Sequence, residues 1–273
     1  MEASQSIFNK TEVSDYRKLP DDLRGSIAIT RDEKSIGMFH KLFKFFQTID
    51  NNTMRNGQLS FGDINLCHSF IILDNKADEN GNLHVAHADA AGLIKEKRNY
   101  LGQNDVTSIV IYTPKDKEFA ELLAKNAEQC QVGETAKYAY KHLMGTLFHK
   151  KERQRAFTKN RTKYLGHAVA HLMNGEQIKD KKGTPLPLIC TGFVLTNLQA
   201  TVLMHKIRQT PQSLDLKDRE FVKATAARIT DLIKQTNTPL GSFYHQHPLM
   251  GFGSKRMMPK SLGLILNEVS ESK

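Results

Sequence analysis

The stretch HSFIILDNKADENGNLHVAHAD, residues 68–89, decides the fold. Its first six residues, His68 to Leu73, are apolar and partly β-branched or aromatic, which is how a strand reads. The polar run 74–82, with Gly81 near its end, has the composition of a hairpin loop. Leu83 to Asp89 is a second short strand, and Ser108 to Tyr112 (SIVIY) is a third, closed by Thr113-Pro114. Upstream, Leu59 to Leu66 alternates with period two. Strands joined by hairpin-length loops imply an antiparallel sheet.

Outside the sheet the period is helical. Asp116 to Cys130 places Phe119, Leu122, Leu123 and Ala127 on one face, and Glu134 to Leu147 is similar. An apolar run of about five turns starts at Cys190, and residues 217–235 form a further amphipathic helix. Residues 36–49 repeat Phe39, Leu42, Phe43, Phe46 and Ile49 at helical spacing. Residues 1–35 are polar and read as a peripheral arm. The C-terminal part reads as irregular until SLGLIL (261–266), and NEVSESK reads as a mobile tail. The expected organisation is an arm and amphipathic helix (1–57), a catalytic domain (58–267) with a basic helical insertion near 134–183, and a tail (268–273). The fold class is α+β.

The composition is that of a globular chain. Of 273 residues, 39% are hydrophobic and 25% charged, which excludes wholesale disorder. No stretch approaches the ~18 apolar residues of a membrane span. The first ten residues carry neither the basic nor the apolar region of a secretory signal. Three cysteines, Cys67, Cys130 and Cys190, are odd in number and far apart, so free thiols and a reducing, cytoplasmic compartment are expected. Delivery into a host cell by a signal-peptide-independent route fits the same features.

The net charge of +10 suggests an anionic partner. It concentrates in 149–163, where Lys150, Lys151, Arg153, Arg155, Lys159, Arg161 and Lys163 face a single acid, Glu152. This cluster suits an anionic membrane surface. A nucleic-acid partner is disfavoured: only Phe157 interleaves with the charges and the chain has no Trp. Other groupings of chemistry-bearing residues are weaker. Cys67, His68, His84 and His87 have zinc-ligand identities, but neighbours on a strand point to opposite faces, so Cys67 and His68 should not reach one ion. His167 and His171 lie at i, i+4 without the glutamate of a zinc peptidase helix. The pair in Tyr244-His245-Gln246-His247-Pro248 and the glycines of Gly251-Phe252-Gly253-Ser254-Lys255 lack a supporting context.

Cys190 stands apart. Pro185 and Pro187 keep the approach to it extended, and a helix begins at the cysteine. A thiol at a helix N-terminus meets free N–H groups and the positive end of the dipole, both of which favour the nucleophilic thiolate. An imidazole would complete the pair as general base and a third polar group would orient it. His68, at the start of one strand, and His87, near the end of the next, can be brought together across an antiparallel pair.

The run Phe61-Gly62-Asp63-Ile64…His68-Ser69-Phe70-Ile71-Ile72…Val85-Ala86-His87-Ala88…Gly92-Leu93…Val110-Ile111-Tyr112-Thr113-Pro114 resembles the sheet of the NlpC/P60 thiol-hydrolase superfamily. Ile189-Cys190-Thr191-Gly192-Phe193-Val194 looks like the nucleophile motif of that superfamily. The order His, polar residue, Cys is the circularly permuted one, shared with YiiX-like and lecithin:retinol acyltransferase-like proteins. The resemblance implies a papain-like fold with the nucleophile at a helix N-terminus and no cofactor. It implies Cys190 as nucleophile, His68 as base and His87 as the orienting residue, with His84 the alternative third member. The expected activity is a cysteine hydrolase (amidase, thiol protease or esterase) on a small-molecule, lipid or peptide acyl substrate. A lipid or protein acyltransferase of the same fold is the alternative, and a non-enzymatic basic binding protein is a further one.

Overall fold

A computed structural model describes residues 6–32, 65–89, 92–129, 159–179, 190–209, 221–252 and 259–272. Its strands are β1 (Phe8–Val13), β2 (Ile27–Arg31), β3 (Leu66–Ile72), β4 (Leu83–Asp89), β5 (Gly92–Arg98), β6 (Ser108–Pro114) and β7 (Ser270–Ser272). The α-helices are α1 (Lys117–Glu128), α2 (Lys159–Met173), α3 (Cys190–Arg208), α4 (Phe221–Lys234), α5 (Pro239–Gln246) and α6 (Pro259–Glu268). The strands form one sheet in the order β5-β4-β3-β2-β6-β1-β7. The first six strands pair antiparallel, and the short β7 runs parallel to β1. The α+β class and the antiparallel sheet agree with the sequence.

The sheet separates two apolar clusters, and strand alternation assigns residues between them. On one side Ile27, Ile29, Ile71, Ala86, Ala88, Val110 and Tyr112 pack against the helices. On the other, Ala28, Phe70, Ile72, Val85, Ile109 and Ile111 pack with Leu23 and Tyr100, which come from connecting segments. α3 lies at the centre of the helical layer. It is buried on nearly every side from Cys190 to Met204, as a helix apolar all round must be. Its polar side chains are bonded inside that layer. Gln199 donates to the carbonyls of Leu249 (2.7 Å) and Phe252 (2.9 Å), and Asn126 of α1 donates to Thr201 (2.8 Å). Asp116 caps α1, accepting from the N–H groups of Glu118 (2.8 Å) and Phe119 (3.1 Å). α6 approaches the sheet closely. A Cβ at Gly263 would stand 2.6 Å from Cδ1 of Leu66, so a larger residue there would force the Leu66 side chain to move.

Several expectations need correction. The N-terminal arm is not peripheral: its residues 8–13 and 27–31 are β1 and β2, and Phe8, Ile27, Ala28 and Ile29 are fully buried. The tail is not free, because Ser270–Ser272 pairs with β1. The segment after α4 is mostly helical, in α5 and a 3-10 turn at Pro248–Gly251. β5 is a strand that no apolar alternation announces, because it is an edge strand studded with Lys95, Lys97 and Arg98. The expected helices at 36–49 and 134–147, the alternating run 59–64, and Lys150, Lys151, Arg153 and Arg155 of the basic cluster lie outside the described residues. Of that cluster, Lys159, Arg161 and Lys163 fall in the first turns of α2.

Candidate active site

β3 and β4 position the site. Ile71 pairs with Ala86 and Ile72 with Val85. Extending this register by one residue sets Phe70 beside His87, so His68 is the diagonal neighbour of His87 on the side away from the helices. The rings meet there: Nε2 of His68 lies 3.0 Å from Nδ1 of His87. The chain of contacts continues. Nε2 of His87 is 3.0 Å from Oε1 of Glu96, which also accepts the hydroxyl of Tyr100 at 3.0 Å. Glu96 reaches His87 because β5 pairs with β4 in a register that sets Glu96 opposite Val85, again one diagonal step away. The Tyr100 ring stacks on Phe70, with centroids 4.3 Å apart, and lies over His68 at 6.1 Å.

These rings form part of the wall of a cavity of about 200 Å³, with Thr30, Asp32, Cys67, Arg98 and Asp105 also on it. Cys67 belongs there because of a register shift. Thr30 pairs with His68 but Arg31 pairs with Leu66, leaving Cys67 as the extra residue of a bulge. A bulge re-aims its side chains, so Cys67 joins His68 on the cavity while Leu66 packs under the helices. Neighbouring strand residues here share a face, contrary to the alternation expected for them. The zinc arrangement still does not form: among the described residues no cluster of three or more His, Cys, Asp or Glu side chains is placed to hold a metal ion.

Cys190 opens α3, as the sequence implies, and its side chain is buried. Its polar neighbour on β3 is Ser69, the residue after His68, whose proximity works against the rise in the thiol's pKa; no hydrogen bond joins the sulfur to His68. By strand alternation Ser69 faces the helices and His68 the cavity, so β3 stands between the thiol and the imidazole. Cys190 is not on the cavity wall. Burial raises the pKa of its thiol, and the nearby Ser69 and helix N–H groups only partly oppose this. At rest the group is a neutral thiol, not the dipole-stabilised thiolate expected for a helix N-terminus.

The other shifts are ordered by the same contacts. Burial, followed by the neighbouring His87 and Arg98, lowers His68 to about 3, so its ring is neutral at pH 7. Burial would raise the Glu96 carboxyl, but the Tyr100 hydroxyl, His87 and Arg98 outweigh it and hold Glu96 below its ordinary value. Burial and the Glu96 charge push the Tyr100 phenol far upward, keeping it a donor. His84 takes no part. It is exposed and bonded through Nδ1 to Asp74 at 3.0 Å, so of the two candidates it is His87 that meets His68. His171 pairs with Glu176 at 3.2 Å beyond the end of α2, and His247 accepts from the N–H of Leu249 at the 3-10 turn.

Glu96 and Tyr100 escape the sequence reading. Their relation to His87 depends on treating the lysine-rich segment after Gly92 as a strand. Compared with known proteins, the chain matches no family model, no curated relative and no solved structure. No described helix is long and apolar enough to cross a membrane.

Proposed function

We propose that the protein is a cysteine hydrolase of permuted papain-like type, acting through an acyl-enzyme on Cys190 with His68 as general base. The observation that carries this reading is the hydrogen-bonded His68–His87 pair, which lines a cavity. The His68 ring is neutral at pH 7, as an acceptor of the thiol proton must be, and its contact with His87 holds it in one orientation. In the reaction the sulfur of Cys190 bonds to the carbonyl carbon of an amide, ester or thioester while its proton passes to His68. The same proton goes to the departing amine, alcohol or thiol. Water then takes the acyl group, or an amine or hydroxyl takes it in the acyltransferase version. At rest β3 lies between the thiol and the imidazole, so the Cys190 reading requires substrate binding to shift the start of α3 relative to β3 until sulfur and imidazole meet.

A second reading puts the acyl group on Cys67. Its support is that Cys67 is half-buried on the same cavity wall as His68. Mass spectrometry after exposure to a panel of acyl thioesters, esters and peptide amides separates the two. An acyl adduct on Cys190, lost in Cys190→Ala and kept in Cys67→Ala, supports the first reading. The reverse pattern supports the second, and adducts on neither thiol sink both. In either case His68→Ala should slow acylation by about 100- to 10,000-fold, the usual contribution of a positioned base.

A further inference from the structure

We propose that Glu96 is the positioning residue of this site: its carboxylate fixes the tautomers of both imidazoles, leaving Nδ1 of His68 as the basic nitrogen on the cavity. The inference rests on the proton-transfer role proposed for His68. The argument runs from the carboxylate outward. An ionised carboxylate can only accept hydrogen bonds. Oε1 of Glu96 accepts from the Tyr100 hydroxyl and faces Nε2 of His87, each at 3.0 Å, so His87 must carry its proton on Nε2. Taken as neutral, His87 holds its single proton on Nε2, which makes its Nδ1 an acceptor. The atom 3.0 Å from it is Nε2 of His68, which must donate. Neutral His68 is then bare at Nδ1, and its ring lines the cavity.

With His87 neutral, reversing one proton would set two lone pairs or two N–H groups against each other, so the three groups hold a single direction; a doubly protonated His87 would instead donate to both neighbours and leave His68 in the Nδ1–H form. Tyr100 contributes by filling Oε1 from the other side while its ring stacks on Phe70. Arg98 lies 3.4 Å from Oε1 and keeps Glu96 ionised. The titratable groups facing His68 are His87 and Arg98, which oppose its protonation, and the Asp32 and Asp105 carboxyl groups on the same cavity wall. When the thiol proton arrives on Nδ1, the imidazolium donates through His87 toward the Glu96 charge, and no other bond changes at the pair.

Long-range 1H–15N correlation spectra of the full chain, 15N-labelled on histidine, read the tautomers directly. At pH 7 both His68 and His87 should be Nε2–H forms in the wild type. Tyr100→Phe, which keeps the carboxylate, should retain them. Glu96→Ala should give mixed tautomers and lower kcat by about tenfold to a hundredfold with little change in KM. A wild-type spectrum showing His68 as the Nδ1–H form overturns the proposal even if Glu96→Ala does not fold. Unchanged tautomers in a folded Glu96→Ala protein overturn it as well. If the spectra agree but no substrate acylates the protein, the tautomer assignment stands and the hydrolase reading falls.

Discussion

The two faces of the sheet are built on opposite principles. The helix-bearing face is apolar and closed, with α3 buried from Cys190 to Met204 and polar side chains such as Gln199 bonded within the layer. The opposite face carries His68, His87, Glu96 and Tyr100 in one hydrogen-bonded line beside a cavity. One strand, β3, supplies both: Ser69 and Ile71 to the closed side, His68 and Phe70 to the open one. Both faces carry buried apolar side chains, but the hydrogen-bonded histidine–carboxylate line belongs to one of them alone, and a substitution can be assigned to a face before it is made.

The largest expected separation comes from Phe193→Ala. Phe193 is fully buried in the helical layer, so its loss should cost about 3–5 kcal/mol in denaturant unfolding. The His68 and His87 tautomers in the residual folded protein should not change. A loss under about 1 kcal/mol would break the comparison, because it would mean the helical face is not the close-packed one.

The two thiols give the next contrast. Cys67 is half-buried on the cavity, whereas Cys190 is buried and its thiol is raised by that burial. Iodoacetamide at pH 7 and without substrate should alkylate Cys67 at least about tenfold faster than Cys190, because reactivity follows thiolate fraction and access. Faster alkylation of Cys190 would show that its environment is open and activating at rest.

The smallest effect is a pH slope. His68 is held near pKa 3 when folded, against 6.5 for a free imidazole. Between those values the unfolded chain binds the extra proton, so His68 contributes stability above pH 6.5 that is lost as pH falls toward 3. The slope from this one group is at most about 1.4 kcal/mol per pH unit. Carboxylates held low when folded, Glu96 included, act with the same sign. The informative quantity is thus the difference between wild type and His68→Gln in denaturant midpoints from pH 7 to 4. His68→Gln should show the flatter dependence; parallel curves would mean that His68 is solvated.

What the sequence discloses follows from periodicity. β3, β4, β6, α1, α3 and α4 are legible because their apolar residues repeat at two or at three to four. β1 and β2 are not, since Asn9, Lys10 and Thr11 dilute the pattern of β1, and β2 is a five-residue strand in a polar setting. The pairing of His68 with His87 is legible from two strands and a hairpin loop. The place of Cys67 is not, because the bulge that turns it toward the cavity depends on β2, which lies 35 residues or more away in the chain. Glu96 is hidden for a related reason: its partner is fixed by hairpin register, while its neighbours Lys95 and Lys97 give it the look of a solvated charge.

The pairing of β7 with β1 has a consequence for chain order. Phe8 lies beside Ser270, and the N–H groups of Ile7 and Phe8 both donate to the carbonyl of Val269 at 2.8 and 3.2 Å. The outermost described segments are thus lateral neighbours at one edge of the sheet. A short linker between them, with a new opening at the exposed residues Glu79 and Asn80, would leave every strand partner in place. The linear order of histidine and cysteine would change while their surroundings did not. In this architecture, permutation rearranges the string and spares the site.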